Sequence, residues 1–308
     1  MPPPAPETRL TEARNPRTTG LDQATPLEIV DLLAAEDASV PVAVAGARLQ
    51  IARTIELVEA AFRSGGRLLY VGAGTSGRLG VLDAAECPPT FGTPPEMVVG
   101  LIAGGFRALV RSVEGAEDDL NTGIQEMDAQ RVSANDVVLG IAASGTTPYV
   151  RAALGRAQAR GARTIFLSCS QPPALLRDTC DVCIIVPVGP EAVTGSTRMK
   201  AGTATKLVLN TITSGARIRL GKVYGNLMVD LQAWNKKLVD RGERIVMEIT
   251  GIDQERARTA IRDAEGSVKI AIVMVRRGVQ RDEAARLLAE HEGRLRPVVG
   301  DPPPVDPE

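Results

Sequence analysis

The sequence predicts an α/β fold in which a parallel sheet has helices on both faces and a small helical module follows. Short apolar runs alternate with helical stretches through the middle of the chain, which is typical of parallel strands joined by helical crossovers. After Ser196 the strand-like runs largely stop and helical patterns continue. The length of 308 residues fits one large α/β unit with a small additional one.

The first folded elements are predicted to be helices. Residues 1–19 and 298–308 are rich in proline and charge, so we expect both ends to be loose, disordered tails. The string Thr25-Pro26-Leu27-Glu28 resembles a capping box with proline in the first turn, and it predicts a helix start. A long helix is then expected over Val42–Phe62, because Ser64-Gly65-Gly66 is a stop signal.

The sheet is predicted from short apolar runs, each of a length typical of a buried strand. These runs are Arg67–Val71, Met97–Ile102, Asp136–Ile141, Arg163–Ser168 and Val182–Val186. The crossover helices between them are expected near Gly77–Ala85, Phe106–Val113, Asp119–Gln130 and Tyr149–Ala159.

The last third of the chain is predicted to be helical. Arg198–Ile218 and Asn226–Val239 have helical patterns, and the pattern stays helical from Arg241 onward. Val268–Val275 is apolar enough to form a strand instead, so that alternative stays open. The resulting domain prediction is a tail at 1–19, a sheet domain with flanking helices at 20–239, a small helical domain at 240–297 and a tail at 298–308.

The composition excludes several classes of function. The chain carries 36 basic and 37 acidic side chains, and this balance argues against nucleic acid or an anionic membrane as the main partner. Aromatic residues make up only 3%, so a base-stacking surface has little to build on. His291 is the single histidine, which disfavours a Ser-His-Asp triad and a multi-histidine metal site.

A cytoplasmic location is expected. The first residues show no secretory signal, and no apolar run approaches the ~20 residues that span a bilayer. Cys180 and Cys183 form a Cys-x-x-Cys pair, a pattern also found in redox and zinc sites. Because they fall in an apolar strand-like segment without a second ligand pair, we interpret them as structural residues.

Three loops rich in glycine and hydroxyl residues predict a site for an oxyanion. They are Gly72–Arg78, Ala142–Pro148 and Thr194–Arg198, and each precedes a predicted helix. Glycines let backbone N–H groups approach a phosphate, and a helix N-terminus adds partial positive charge. Ordinary helix capping explains any one loop, whereas three together favour a phosphorylated small molecule. The candidate hydroxyl groups are those of Thr75, Ser76, Ser144 and Thr147.

A dinucleotide site is the main alternative for the first loop. Gly72, Gly74 and Gly77 match the pattern Gly-x-Gly-x-x-Gly. That motif also requires an acidic residue at the end of the second strand to hold a ribose hydroxyl. Here the second strand ends in Ala103-Gly104-Gly105, and Glu96 precedes the strand instead. The pattern therefore disfavours a nicotinamide cofactor.

Carboxylates are the natural proton-transfer groups that remain. Pro88 disfavours helix at the preceding residue, so Glu86 is expected at a helix end, where a carboxylate is unfavourable with the helix dipole. Glu114 and Glu117 lie in an acidic string, and its pattern alone favours an exposed cap for the helix after Asp118. A sugar phosphate beside such a carboxylate indicates proton abstraction next to a carbonyl. Spacing alone leaves aldose–ketose isomerisation and elimination both open.

Several long strings resemble the N-acetylmuramic acid 6-phosphate etherases of the sugar isomerase (SIS) superfamily. They are Gly72–Gly80, Ala85–Thr90, Val113–Asp118, Thr194–Thr203 and Gly225–Asp230. The resemblance implies a SIS domain with a small helical module, acting as a homodimer without metal, nucleotide or other cofactor. It also implies cleavage of the D-lactyl ether of N-acetylmuramate 6-phosphate with water, which yields N-acetylglucosamine 6-phosphate and D-lactate in bacterial cell-wall recycling.

The resemblance also implies roles for individual residues. Glu86 corresponds to the proposed proton donor of the family, and Glu117 corresponds to the second catalytic residue. Ser76 and Ser144 correspond to sugar-phosphate contacts, with Thr75, Thr147 and Glu114 as further substrate contacts. The chain departs from the family pattern at Thr146, where similar proteins carry arginine, so one positive charge near the ligand is lost.

The chemistry implied by the resemblance is an elimination followed by addition of water. Removing the C2 proton of the open-chain sugar forms an enolate, which expels lactate from C3, and water then adds to the unsaturated aldehyde. Two other readings remain open. A regulator like the glucokinase regulatory protein would bind sugar phosphates without turnover, and a phosphosugar isomerase would form a ketose without lactate.

Overall fold

The computed structural model describes residues 10–172, 174–231 and 236–304. Among these residues the chain forms two compact units. The first comprises the chain up to Ala85 together with Pro95–Thr213, and the second comprises Glu86–Pro94 and the chain from Ser214 onward. This division puts residues 214–239 with the C-terminal helices, whereas the sequence analysis placed the boundary at residue 240. No helix of the described residues is long and apolar enough to cross a membrane.

The first unit is built on a five-stranded parallel sheet, which confirms the predicted fold class. Each strand lies within one residue of its predicted bounds. The strands are β1 (Leu68–Gly72), β2 (Val98–Ile102), β3 (Val137–Ile141), β4 (Arg163–Ser168) and β5 (Val182–Ile185). Their order across the sheet is β2-β1-β3-β4-β5. In the register of the sheet, Gly72 is level with Ile102 on one side and with Ile141 on the other.

Helices precede the sheet and connect its strands. They are α1 (Pro26–Asp37), α2 (Val40–Gly46), α3 (Arg48–Arg63), α4 (Gly74–Phe91), α5 (Arg107–Val110), α6 (Leu120–Ala129), α7 (Pro148–Ala159), α8 (Ala174–Thr179) and α9 (Lys200–Arg219). Thr25 caps α1 in a full capping box with Glu28, as predicted. The long helix predicted over Val42–Phe62 is interrupted at Ala47, which separates α2 from α3.

Helix α4 extends past the point where the sequence predicted its end. It runs through Pro88 and Pro89 to Phe91, so the prediction that Glu86 stands at a helix end is wrong. The two prolines remove two backbone donors only from the last turns of the helix. There Gly92 N donates to Pro88 O at 2.9 Å and closes the final turn. Glu86 is therefore inside the helix, and the argument from the helix dipole does not apply to it.

The N-terminal segment of the first unit is ordered from Leu10, so the predicted loose tail 1–19 is wrong for residues 10–19. Residues 1–9 lie outside the described residues. The segment forms short 3-10 helices at Leu10–Glu12, Pro16–Thr18 and Leu21–Gln23. Asn15 Nδ2 donates to Pro190 O at 3.3 Å, and Thr18 Oγ1 donates to Ala192 O at 2.8 Å. Gly195 N donates to Thr11 O at 3.2 Å.

A buried ion pair lies beneath this segment. Lys200 Nζ is 2.6 Å from Glu36 Oε2, and the two side chains are only 1% and 3% exposed. Arg17 also pairs with Glu36, through its Nε and Nη2. The hydrogen bond from Arg17, helped by Lys200, lowers the pKa of Glu36 to about 2, although burial opposes that shift. Glu36 thereby links the N-terminal segment to the start of α9.

The second unit is a helical domain with one short hairpin. Its elements after α9 are β6 (Val223–Tyr224), β7 (Leu227–Met228), α10 (Lys236–Thr250), α11 (Gln254–Asp263), α12 (Val268–Arg277), α13 (Arg281–Glu290) and α14 (Arg296–Val299). A helix was predicted over Asn226–Val239, and this prediction is wrong from Asn226 to Leu231. Gly225-Asn226 instead forms the two-residue turn of the hairpin. Residues 232–235 lie outside the described residues.

The C-terminal residues of the second unit also differ from expectation. The segment 268–275, which was compatible with a strand, is part of α12. Val298 and Val299 are buried in the hydrophobic core of this unit. The prediction of a loose tail is therefore wrong at its start, and residues 305–308 lie outside the described residues.

The Glu36 pair makes a testable contribution to stability. Because the folded-state pKa of Glu36 is about 2, below its unfolded value near 4.3, its contribution is complete above about pH 5 and is lost as the pH falls towards 2. We expect wild type to lose about 2 kcal/mol more than Glu36→Gln between pH 7 and pH 2.5. Urea unfolding of both proteins across this range measures the difference. A difference that does not change with pH would contradict the assignment.

Candidate active site

A cavity of about 400 Å³ lies at the carboxyl ends of β1 and β3. It is lined by all three predicted loops and by acidic residues from two other segments. The lining residues are Glu12, Ala73, Gly74, Thr75, Ser76, Glu117, Asp118, Ala143, Ser144, Thr146, Thr147, Pro148 and Thr197. A wider depression of about 590 Å³ beside α1 contains no residue of these loops. The strand-end cavity is therefore the candidate site.

Strand order explains why the first two loops meet. Strands β1 and β3 are neighbours, and the chain continues from β1 to β2 on one side and from β3 to β4 on the other. Open α/β sheets bind ligands in the crevice that forms at such a point, beyond the carboxyl ends of the strands. The first turn is very tight, because a Cβ on Gly72 would lie 2.7 Å from Gly77 N. A Cβ on Gly77 would in turn lie 2.6 Å from Gly72 O. These glycines have a packing role that does not require a dinucleotide.

The second loop is fixed by the neighbouring strand. Cys169 N donates to Ala143 O at 3.1 Å, just beyond the end of β4. Gly145 has a φ of +86°, a conformation that glycine adopts without strain. Ser144 Oγ lies 3.3 Å from Thr146 Oγ1, so the two hydroxyl groups share one hydrogen bond on the cavity wall. Pro148 then begins α7, one residue before the predicted start.

The cavity is suited to an oxyanion through neutral donors. Helices α4 and α7 begin at its wall, at Gly74 and Pro148, and the N-terminus of each helix carries partial positive charge. Hydroxyl groups come from all three loops, and Thr197 represents the third. Among the residues that the structure describes, no lysine or arginine lines this cavity. A bound phosphate would be held by hydroxyl groups, backbone N–H groups and helix dipoles.

Three carboxylates face the same space. Glu117 lies in a short 3-10 helix, Ala116–Asp118, after Gly115 at a φ of +74°. Asp118 and Glu12 also line the cavity, and neither was predicted from the sequence as a site residue. Glu12 was missed because its segment was predicted to be loose. The Asn15-Pro16 pair, a helix-capping signal, could have indicated order there.

A second cavity of about 400 Å³ borders the first. Ala73, Gly74 and Glu117 line both cavities. The remaining lining residues of the second cavity are Arg78, Ala103, Ala108, Ser112, Val113, Glu114, Gly115 and Ala116. Glu114, predicted as a substrate contact, is thus separated from the predicted hydroxyl contacts.

Glu86 belongs to the second unit, where it is exposed on α4, and it is not among the lining residues of this cavity. The structure brings together five of the seven predicted site residues, which are Thr75, Ser76, Glu117, Ser144 and Thr147. The role of Glu86 stays a prediction.

Comparison with known protein families identifies two matching models. The glucokinase regulatory protein N-terminal SIS domain matches residues 50–158, and the SIS domain matches residues 117–214. These ranges contain the sheet and most of the residues that line the cavity. Among solved structures, a phosphoheptose isomerase from Francisella tularensis is similar with a TM-score of 0.49 and 17% identity, covering 63% of this chain and 100% of that chain.

Curated relatives match over nearly the whole chain. An N-acetylmuramic acid 6-phosphate etherase from Mycolicibacterium smegmatis is 51% identical over 290 residues, which cover 94% of this chain and 97% of the relative. A protein of the same name from Erwinia tasmaniensis is 52% identical over 287 residues, covering 93% and 94%. Such likeness extends through both compact units.

The hydroxyl groups that line the strand-end cavity are expected to contribute to the affinity for a sugar phosphate. Ser144→Ala removes one donor from the cavity, so we expect affinity for a hexose 6-phosphate to fall about 5- to 10-fold. Isothermal titration of both proteins measures the change. Ser64→Ala serves as the control, because Ser64 bonds its own helix and does not line the cavity. Equal affinities for wild type and Ser144→Ala would show that this wall does not hold the phosphate.

Proposed function

This chain belongs to the N-acetylmuramic acid 6-phosphate etherase family, and we propose that its strand-end cavity performs the reaction. The protein is a carbon–oxygen lyase that cleaves N-acetylmuramic acid 6-phosphate in amino sugar recycling. The observation that carries the site assignment is that Glu117 lines the same cavity as Ser76 and Ser144. A carboxylate that can transfer protons and hydroxyl groups that can bind a phosphate then face the same bound sugar.

The phosphate end of the sugar is held by the first two loops in this proposal. Ser76 and Thr75 donate from the start of α4, and Ser144 and Thr147 donate from the loop before α7. The helix N-termini add partial positive charge. When the bound sugar excludes water, solvent no longer competes for the phosphate oxygens. The hydrogen bonds from these hydroxyl groups to the phosphate are then not weakened by exchange with water. This arrangement fixes the distance from the phosphate to the reacting carbons.

Glu117 then acts on the C2–C3 bond. The C2 proton of the open-chain sugar is acidic because it lies next to the C1 aldehyde, and its removal leaves an enolate. The electron pair of the enolate expels the lactyl oxygen from C3, and that oxygen takes up a proton as D-lactate leaves. Water adds at C3 of the unsaturated aldehyde and C2 regains a proton, which gives N-acetylglucosamine 6-phosphate.

Glu86 is the second proton-transfer group of the proposal. Its support is the string Ala85–Thr90, in which this glutamate matches the family pattern at a cysteine and two prolines. Elimination requires a base at C2 and an acid at the ether oxygen, so two carboxyl groups with different roles fit the reaction. Glu86 and Glu117 share these two transfers.

We also propose that the protein works in the cytoplasm as a homodimer. A sugar phosphate carries charge that prevents it from crossing a bilayer unaided, which fits an enzyme inside the cell. The first unit exposes large apolar side chains on its first helices, and an apolar surface of this kind fits a subunit contact. They include Leu27, Val30, Val42 and Leu49, which are 70%, 60%, 75% and 70% exposed.

Substitution of the two glutamates tests the catalytic assignment. We expect Glu117→Gln and Glu86→Gln each to lower the rate of D-lactate release by ~100-fold or more, because each removes a proton-transfer group. A coupled D-lactate assay on purified proteins measures the rates. Glu96→Gln removes an exposed carboxylate outside the cavity and should retain the wild-type rate. A wild-type rate in either test variant would remove that glutamate from the mechanism.

Isotope exchange tests the enolate. If the C2 proton is removed and later replaced from solvent, N-acetylglucosamine 6-phosphate formed in D₂O should carry deuterium at C2. Proton NMR or mass spectrometry of the product measures the incorporation. A product that retains its original C2 hydrogen would count against an enolate that exchanges with solvent and would favour direct displacement at C3.

A further inference from the structure

The second cavity has the chemistry of a carboxylate site, and we propose that it binds the lactyl group of the substrate through Arg78. This inference rests on the proposed function, because it names the place of the leaving group in the same reaction. The cavity of about 400 Å³ borders the strand-end cavity and shares Ala73, Gly74 and Glu117 with it.

Arg78 is held in place with part of its guanidinium unused. It lies in the first turns of α4 and is half-buried. Its Nε donates to Leu109 O at 3.1 Å, which fixes the side chain against the end of α5. Among the described residues no carboxylate forms an ion pair with it. An arginine oriented by one hydrogen bond, with donors to spare, is suited to a ligand carboxylate.

The rest of the lining fits a small branched acid. Ala103, Ala108 and Val113 supply apolar surface, and Ser112 adds a hydroxyl group. A lactyl group has the matching parts, because it carries a methyl group and a carboxylate on one carbon. The acetamido group of the sugar also has a methyl group, but it is uncharged and gives an arginine no ion-pair partner.

The junction of the two cavities matches the position of the cleaved bond. The lactyl ether is attached at C3, next to the C2 atom that loses its proton. A sugar with its phosphate in the first cavity and its lactyl group in the second places the C2–C3 bond where the cavities meet. Glu117 lines both cavities at that junction.

The charges around the second cavity explain how the leaving group is bound and then released. Of the described residues that line it, Arg78 is the single basic one, and Glu114 and Glu117 are acidic. While the ether is intact, the rest of the sugar holds the lactyl carboxylate beside Arg78 despite these two glutamates. Once the C3–O bond breaks, lactate keeps only the contacts of this cavity, and repulsion by the glutamates favours its departure.

A comparison of two ligands tests the subsite. N-acetylglucosamine 6-phosphate retains the phosphate and the acetamido group but lacks the lactyl group. We expect Arg78→Gln to raise the KM for N-acetylmuramate 6-phosphate about 10-fold or more, which corresponds to ~1.4 kcal/mol. The inhibition constant of N-acetylglucosamine 6-phosphate should stay within about 2-fold of wild type. Arg107→Gln removes an exposed arginine that does not line the cavity, and both constants should remain unchanged.

Other results would contradict the Arg78 subsite but would leave the proposed reaction unaffected. An unchanged KM in Arg78→Gln, or an equal loss of affinity for both ligands, would show that Arg78 does not bind the lactyl carboxylate. Should Arg78→Gln fold poorly, Val113→Asp places a carboxylate at a 38% exposed position of the same cavity. It should raise the KM selectively, and an unselective effect would again contradict the subsite.

Separate measurements test the proposed function and the subsite. Release of D-lactate by wild type reports on the function alone. If wild type released none, calorimetric affinities of wild type and Arg78→Gln for the two ligands would still test the subsite. Selective loss of N-acetylmuramate 6-phosphate binding would then support the subsite, and the absence of that selectivity would refute it.

Discussion

The parallel pairing of β1 with β2 and β3 is the constraint on which the candidate site depends. Gly72 ends β1 level with Ile102 and Ile141, so the segments that follow β1, β2 and β3 leave the sheet at one height. All five residues of β1 are buried. A shift of one residue along the strand would turn its side chains to the opposite faces and move the first glycine turn away from the second loop. The hydroxyl groups face one cavity because buried strands fix where each loop begins.

The third loop and the N-terminal segment depend on a different set of contacts. Glu191 is fully buried, and its two carboxylate oxygens accept from Lys200 N and Ala201 N at 2.9 Å each, which caps the start of α9. The side chain of the same lysine pairs with Glu36. The loop between Glu191 and Lys200 is therefore fixed at its end by buried charge. Thr197 lines the cavity from this loop, and Glu12 reaches it from the N-terminal segment bound to the loop.

Much of the first unit could be predicted from the sequence, because buried parallel strands leave continuous apolar runs and helix caps leave local signals. Glu117 and the hydroxyl groups were found because their strings are local as well. Glu12 could not be found in this way, because it reaches the cavity only through hydrogen bonds to residues far along the chain. The end of α4 was mispredicted from Pro88 for a similar reason. The steric preference of a proline is local, and it does not show whether a later hydrogen bond, here from Gly92 N to Pro88 O, closes another turn of the helix. The hairpin at Gly225-Asn226 carried a turn signal, but its strands have only two residues each, too short for periodicity to detect.

In the proposed binding mode, the charges that line the two cavities determine how the two ends of the substrate are recognised. Among the described residues, three carboxylates and no basic side chain line the strand-end cavity. A phosphate bound there is recognised by the positions of neutral donors, which is why the strand register matters so much. The neighbouring cavity has a basic residue, Arg78, and that residue is already fixed to Leu109 O. If the substrate binds as proposed, its second anion distinguishes it from a simple hexose phosphate, and Glu117, which lines both cavities, lies beside the bond between the two anionic ends.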